Sequence, residues 1–284
     1  DLHNTLWLNE DDTRTHLTDP PGYAYSMHDA EATSEMVARE FAKGLCGAAG
    51  MYFYDLSGGA RNWFDDPELM ATFGELRRIA GDAVNHDTTP QAEIAVVMSD
   101  ISLSYMRQIA DWPTDRDDVM AQLIFGREQI GRIGAPFDEY LLDDVLLPDA
   151  PDYKFYIFLN TFYLTAEQRA AILAKLNRNH ATALWYYAPG IFDEKGCDPA
   201  LAEALTGSAL SFDHTRRGGV IRYGDGSNWG CQDTFAPTLR PARAEETLAV
   251  FPTDGAPALV RNGRNYFSAV PKLSTTMLRT IAER

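Results

Sequence analysis

The chain has 284 residues, of which 45% are hydrophobic and 23% charged, the composition of a globular protein with a substantial core. Its formal net charge of −16 disfavours nucleic acid and anionic membrane surfaces as partners, because phosphate groups would be repelled, whereas a neutral sugar is indifferent to this charge. No apolar run reaches the length of about 18 residues that a membrane-spanning helix needs, so no membrane association is predicted.

The first part of the chain alternates apolar strands with amphipathic helices. Residues 6–8 (LWL) predict a short strand, and residues 30–47 have the apolar spacing of a helix. Residues 51–54 (MYFY) predict a second strand. Asp66 and Pro67 suit the N-cap and the first position of a second helix. Apolar strands that alternate with helices are typical of a parallel sheet covered by helices.

A polar stretch without periodicity at residues 85–92 predicts a boundary between two domains. Beyond it, the patterns predict strands at residues 94–98, 137–142, 154–159, 182–187, 219–223, 246–251, 257–261 and 265–270. They predict helices at residues 116–133, 165–177, 198–205 and 272–283. This alternation favours an open, doubly wound sheet of the flavodoxin type.

The three cysteines, Cys46, Cys197 and Cys231, are far apart in the sequence and predict neither a disulfide scaffold nor a zinc site. They suit a reducing compartment, so a cytoplasmic location is favoured, while export of a longer parent protein stays open. The chain begins at Asp1 without an initiator Met or a signal peptide, and we expect a fragment, a trimmed chain or a processed one. No metal-ligand cluster or cofactor motif is found, so no cofactor is expected.

Two acidic residues follow the predicted strands of the first domain, where (β/α)8 barrels carry their catalytic groups. Glu10 follows the strand at residues 6–8, and Asp55 follows the strand at residues 51–54. A retaining glycosidase needs two carboxyl groups about 5–5.5 Å apart, and Glu10 is a candidate for one of them. Asp55 is a candidate for binding sugar hydroxyls. The alternatives are that Glu10 is an exposed loop acid and that Asp55 caps a turn or pairs with Arg14.

Aromatic and basic residues in the same loops are candidates for substrate contacts. Trp63 and Phe64 offer rings on which the C–H face of a sugar can stack, although both would equally pack the mouth of a barrel. Arg14 and His16 follow Glu10 and suit hydrogen bonding to substrate or orientation of Glu10, with ordinary loop packing as the alternative.

The second domain lacks the residues of an amidotransferase centre. Such domains carry a cysteine on a sharp turn between strand and helix. The matching turn here, residues 188–190, reads Ala-Pro-Gly. Cys197 comes only after a further loop, and His214 has no companion glutamate at a suitable spacing. Amidotransferase activity is therefore not expected.

Taken together, these residues resemble glycoside hydrolase family 42, the β-galactosidase-like enzymes. Residues 10–16 (EDDTRTH), 50–55 (GMYFYD) and 63–69 (WFDDPEL) are similar to that family's last two barrel strands. The second domain is similar to its middle domain, at residues 94–98 (IAVVM), 134–138 (GAPFD), 140–144 (YLLDD), 153–160 (YKFYIFLN), 164–169 (LTAEQR) and 185–190 (WYYAPG). The resemblance covers nearly the whole chain.

This resemblance implies a partial (β/α)8 barrel, its last two β/α units, at residues 1–87. It implies a flavodoxin-like, class I glutamine amidotransferase-like domain at residues 88–284, without catalytic residues, that serves trimerisation. It also implies a retaining mechanism in which Glu10 is the nucleophile and Trp63 lies near a glycoside substrate. The family's acid/base glutamate follows the fourth barrel strand, and its closing β-sandwich follows this region. Both are absent here, so this chain alone is not expected to hydrolyse a glycoside.

Three interpretations stay open. In the first, the chain is part of a retaining glycosidase with Glu10 as nucleophile. In the second, it is mainly a non-catalytic assembly module of a homo-oligomer. The third, a free-standing carbohydrate-binding α/β protein, is the least favoured, because two parallel strands and two helices would leave strand edges and apolar faces exposed.

Overall fold

The computed structural model describes residues 6–18, 26–56, 62–87, 91–105, 119, 122–123 and 126–284. The chain divides into two compact units, Asp1–Pro90 and Gln91–Arg284. Part of the polar stretch at 85–92 and much of the helix predicted at 116–133 lie outside the described residues. Within the described part, no helix combines the length and apolar character needed to cross a bilayer.

The first unit has the predicted order of strand, helix, strand and helix. Its elements are β1 (Leu8–Asp11), α1 (Ala30–Cys46), β2 (Gly50–Phe53) and α2 (Pro67–Ala83). β1 and β2 pair in parallel, with Leu8 opposite Gly50 and Glu10 opposite Tyr52. The strand predicted at residues 6–8 is therefore placed too early, and Glu10 lies within β1 instead of after it. The bounds of β1 are set by its pairing with β2, a contact between distant residues that the apolar run LWL cannot predict.

The two helices of this unit begin at the side chains that cap them. Asp66 accepts hydrogen bonds from the backbone N–H groups of Glu68 (2.8 Å) and Leu69 (3.0 Å), and Pro67 occupies the first turn, as predicted. Asp29 caps α1 through the N–H of Ala32 at 2.8 Å. The apolar stripes of both helices form a small core whose buried members are Met36, Val37, Leu69 and Leu76.

The other face of the two-stranded sheet is open in this unit. Large apolar side chains lie exposed there and beside it, with Trp7 71% and Leu8 57% exposed, together with Leu6, Tyr52, Tyr54 and Leu56. Within the described residues, β1 and β2 pair only with each other. Two isolated strands are marginal in water, and an apolar face of this kind normally marks a surface that another element covers.

The second unit is an α/β structure with a large sheet. Its strands are β3 (Ile94–Met98), β4 (Phe137–Leu141), β5 (Phe155–Phe158), β6 (Thr182–Tyr186), β7 (Phe192–Asp193), β8 (Gly196–Cys197), β9 (Leu210–Asp213), β10 (Arg217–Tyr223), β11 (Asn228–Phe235), β12 (Thr238–Pro241), β13 (Glu246–Val250), β14 (Pro257–Asn262) and β15 (Asn265–Ser268). Its helices are α3 (Arg127–Gly131), α4 (Leu142–Val145), α5 (Ala166–Arg178), α6 (Glu203–Thr206) and α7 (Thr275–Ala282).

Nine of these strands form one sheet in the order β11–β10–β13–β14–β15–β6–β5–β3–β4. The five strands from β15 to β4 are parallel. The inner strands β3, β5 and β6 are strongly buried, and Phe158 and Trp185 stack at 4.0 Å between ring centroids. The predicted helix at 165–177 is confirmed as α5, with a capping box between Thr165 and Gln168.

Only part of this sheet has the parallel strands that the sequence patterns predict. Strands β14, β13, β10 and β11 continue it in antiparallel fashion. Their connections are too short for the crossover of about a dozen residues that parallel strands need. Gly263 and Arg264 alone join β14 to β15, with Gly263 at a φ of 58°. The sequence patterns missed β11 entirely.

Candidate active site

The carboxylate of Glu10 lies on the open face of the first unit. Side chains alternate along a strand, so Glu10 shares this face with Leu8, and its cross-strand neighbour is Tyr52. The hydroxyl of Tyr52 donates a hydrogen bond to Glu10 Oε2. This bond, partial desolvation and the negative charge of Glu10 raise the pKa of Tyr52, so the phenol stays protonated at neutral pH and keeps its hydrogen to donate to Glu10.

The structure separates Glu10 from the two acids that follow it. Asp11 is buried on the opposite face, where its Oδ1 accepts a hydrogen bond from Thr13 N at 2.8 Å. Asp12 faces Arg14, whose guanidinium lies 2.7 Å from its carbonyl oxygen and 3.0 Å from its Oδ2. Of this acidic run, only Glu10 presents a carboxylate to the open face beside an aromatic hydroxyl.

Arg14 and Trp63 join the loops that follow β1 and β2. The guanidinium carbon of Arg14 lies 5.0 Å from the centre of the Trp63 ring, a cation–π arrangement. Thr15 donates a hydrogen bond of 2.6 Å to the carbonyl of Trp63. Trp63 is only 5% exposed, so within this unit the ring packs beneath Arg14 instead of forming an open platform.

His16 links the first turns of the two helices. Its backbone N–H and its Nδ1 lie 3.1 and 2.9 Å from the hydroxyl of Thr33, at the start of α1. Its Nε2 lies 3.4 Å from Asp66, the N-cap of α2. The backbone N–H of Leu69 is the main reason that the pKa of Asp66 is lowered, and His16 contributes. Both ring nitrogens thus contact protein groups, which gives His16 a supporting position.

Asp55 and Phe64 stabilise the loop that carries Trp63. Asp55 Oδ2 accepts a hydrogen bond from the backbone N–H of Trp63 at 3.2 Å, which is the turn-capping alternative considered from the sequence. Phe64 packs edge-on against Phe73 of α2, with ring centroids 5.5 Å apart. The structure therefore brings Arg14, Asp55 and Trp63 together, with His16 and Phe64 anchoring their loops on the helices.

Tyr52 is the site residue that the sequence analysis missed. Its signal was available: aligning the two strands as parallel neighbours, LNED with GMYF, places Tyr52 beside Glu10. The apolar run MYFY drew attention instead to Asp55, at its end.

The turn after β6 in the second unit begins at an aromatic residue, Tyr187, directly before the Ala-Pro-Gly of residues 188–190. Tyr187 adopts a left-handed conformation, with a φ of 62°, and its buried hydroxyl donates to the carbonyl of Pro237. Cys197 lies on β8, and partial desolvation of its sulfur together with the charge of Asp198 raises the pKa of its thiol, which disfavours the thiolate form. Among the described residues, no group of three or more His, Cys, Asp or Glu side chains is placed to hold a metal ion.

Neither a protein-family model nor a curated protein matches the sequence. Solved structures match the fold. The β-galactosidase of the haloarchaeon Halorubrum lacusprofundi aligns with 100% of this chain and 44% of its own, with a TM-score of 0.69 and 16% identity. That of Bacillus circulans sp. alkalophilus aligns with 97% of this chain and 44% of its own, with a TM-score of 0.68 and 15% identity.

Gan42B, a GH42 β-galactosidase of G. stearothermophilus, aligns with 96% of this chain and 42% of its own, with a TM-score of 0.64 and 15% identity. The chain has the fold of part of a GH42 β-galactosidase. This confirms the predicted resemblance at the level of fold. The chain spans less than half the length of each of these enzymes.

Proposed function

We propose that this chain is the part of a retaining, β-galactosidase-like glycoside hydrolase that carries the nucleophile, Glu10. The observation that carries the proposal is the position of the Glu10 carboxylate. It lies on the open face of β1, near the carboxyl end of the strand, with Tyr52 bonded to one oxygen. In barrel enzymes the catalytic groups stand at the carboxyl ends of the strands. The fold match to β-galactosidases over nearly the whole chain supports the assignment.

The chemistry assigned to Glu10 is double displacement. The carboxylate attacks the anomeric carbon while an acid/base residue outside this chain protonates the departing oxygen. Water then hydrolyses the glycosyl ester. The two carboxyl groups of a retaining site lie about 5–5.5 Å apart, so the second carboxyl has to face the open side of β1. A β-galactoside is the substrate that the related structures suggest.

The open face also supports the assignment of residues 1–87 as the last two β/α units of a barrel. A barrel interior is filled by inward-facing side chains from every strand. Leu8 and Tyr52 lie exposed on this face and need such partners. We propose that further strands of a longer polypeptide pair with the outer edges of β1 and β2 and cover these residues.

Around Glu10 we assign a rim of substrate-binding residues. Trp63, Arg14 and Asp55 form one connected cluster in the two loops that follow the strands. His16 and Phe64 hold that cluster on α1 and α2, and we propose that they influence substrate binding through it. A cation stacked on an indole beside a carboxylate offers both hydrogen-bond donors and acceptors to sugar hydroxyls.

For residues 88–284 we propose a flavodoxin-like, amidotransferase-like domain that assembles the protein into a homotrimer. The parallel strand order β4–β3–β5–β6–β15 supports it, because it corresponds to the flavodoxin order 2-1-3-4-5. Tyr187 at the turn after β6 favours a non-catalytic role. If light scattering shows a monomer at all concentrations, the assembly role is wrong.

Labelling with an activated 2-deoxy-2-fluoro-β-galactoside tests the catalytic proposal. Such a compound traps the glycosyl ester, and peptide mapping identifies the carboxylate that carries it. The protein to use is the native polypeptide that contains this chain, with its intact mass measured on the same sample. We expect the label on Glu10, and we expect Glu10→Gln to abolish hydrolysis while Asp12→Asn retains it. Label on another carboxylate would refute the assignment.

A further inference from the structure

The hydrogen bond between Tyr52 and Glu10 involves one of the two carboxylate oxygens of Glu10. Tyr52 Oη donates to Oε2. Among the described residues, no hydrogen bond to Oε1 is found, so Tyr52 holds only one of the two carboxylate oxygens. The contact comes from strand register, because Glu10 and Tyr52 are directly paired on β1 and β2. It therefore positions the carboxylate even though both side chains are exposed in this unit.

We infer that Tyr52 is a positioning residue for the Glu10 nucleophile: its hydroxyl holds Oε2 and leaves Oε1 to attack the anomeric carbon. This inference rests on the proposed function. In the first step, a bond forms between Oε1 and the anomeric carbon as the bond to the leaving oxygen breaks. The leaving oxygen takes its proton from the acid/base residue.

In the second step, water attacks the same carbon and gives a proton to the acid/base residue. The bond to Oε1 breaks, and its electron pair returns to the carboxylate. A hydrogen bond to an anionic acceptor is stronger than one to a neutral ester. Tyr52 therefore stabilises the departing carboxylate, and its main effect falls on hydrolysis of the glycosyl ester.

The effect of Glu10 on the Tyr52 phenol supplies a readout that does not depend on activity. Among the described residues, Glu10 and Tyr54 are the titratable groups that act on this phenol, and Glu10 is the stronger. Replacing Tyr52 by 3,5-difluorotyrosine brings the phenol into a range of pH where the protein is folded. The probe can then be titrated by fluorine NMR in three backgrounds: wild type, Glu10→Gln and Asp12→Asn.

We expect Glu10→Gln to move the titration of the probe to lower pH and Asp12→Asn to leave it in place. Asp12 serves as the matched control because it faces Arg14 and makes no described contact with Tyr52. An unchanged titration in Glu10→Gln would overturn the inference, whether or not the protein is active. If both variants move the titration of the probe, the inference is also overturned, because any removal of negative charge would then have the same effect on the phenol.

Kinetics of the native polypeptide test the positioning role itself. With an aryl galactoside that has a good leaving group, hydrolysis of the glycosyl ester limits the rate. We expect Tyr52→Phe to lower kcat by about 10- to 100-fold, the effect of one charge-assisted hydrogen bond, and to lower KM in parallel as the ester accumulates. Tyr54→Phe removes a nearby hydroxyl from the same stretch of chain and should change neither constant.

The two failures are distinguishable. If the fluoroglycoside labels Glu10 but Tyr52→Phe leaves kcat and KM unchanged, the positioning role is wrong and the proposed function stands. If the wild type is labelled elsewhere, the proposed function fails and this inference fails with it. Two controls exclude unfolding as the cause of a lower kcat. Circular dichroism of the variants measures folding directly, and a misfolded fraction would lower kcat without lowering KM.

Discussion

The guanidinium group of Arg14 lies over the indole ring of Trp63, with its carbon 5.0 Å from the ring centre. The two residues come from different loops, one after β1 and one after β2, and the hydrogen bond from the Thr15 hydroxyl to the backbone carbonyl of Trp63 joins these loops. The pair therefore contributes to the stability of the first unit.

Trp63→Ala is expected to destabilise the first unit by about 3–5 kcal/mol, because it leaves a large cavity beneath Arg14. Urea unfolding of the 284-residue chain, followed by near-ultraviolet circular dichroism, measures this loss. Trp7→Ala is the matched control, since Trp7 is 71% exposed and its removal costs little. Equal effects of the two substitutions would show that Trp63 is not packed as described.

Leu8→Ser tests whether the open face is completed by further strands. In this chain alone Leu8 is exposed, so the change should lower binding of the dye ANS and leave the melting temperature unchanged. In a longer polypeptide that covers the face, the same change should cost about 2–5 kcal/mol, as for a buried leucine. Leu69→Ala, in the core of this unit, should destabilise both proteins. Identical behaviour of Leu8→Ser in the two contexts would refute the completed-barrel proposal.

Asp152 gives the second unit a defined sensitivity to acid. Its ion pair with Arg178, supported by the buried Lys175, lowers its pKa to about 2. A depressed pKa in the folded state contributes stability above the unfolded value of 3.8, and this contribution is lost as the pH falls from about 4 to about 2. Asp152→Asn should lower the melting temperature by about 2–4 °C at neutral pH and flatten its decline over that window. Melting temperatures measured across this pH range test the expectation, with the exposed Asp149→Asn as the control. If the melting temperatures of wild type and Asp152→Asn decline in parallel, the assignment is wrong.

Gly190 is required where the chain turns after β6. It adopts a φ of 58°, and an added Cβ would lie 2.6 Å from Arg169 Nη1 and 2.9 Å from Leu205. Arg169 donates hydrogen bonds of 2.9 Å to the carbonyls of Leu201 and Gly190, so displacing it leaves both acceptors without this donor. Gly190→Ala should cost about 2–4 kcal/mol in urea unfolding. Gly131→Ala, where a Cβ meets nothing within 4 Å, should be neutral or stabilising, and a similar cost at both sites would refute the packing argument.

Local features of the sequence determined much of the fold. Asp66 with Pro67, and Thr165 with Gln168, predicted the starts of α2 and α5 correctly, because a cap is satisfied by backbone groups within the same turn. Periodicity likewise predicted α1 and the buried strands β3, β5 and β6 to within two residues. These signals are local, and they were enough to predict an α/β fold; the resemblance to β-galactosidases came from motifs such as residues 10–16 and 63–69.

Only the tertiary structure decided which side chains meet. The Glu10–Tyr52 pair follows from the register of β1 against β2, and Arg14 reaches Trp63 across 49 positions of sequence. Strand β11 of the large sheet was missed for the same reason: it has no strong apolar alternation, and its place is set by pairing with β10. The sequence by itself determined the elements, because caps and periodicity act within a turn or a strand. Register and the meeting of loops depend on contacts between distant residues, which local patterns do not encode.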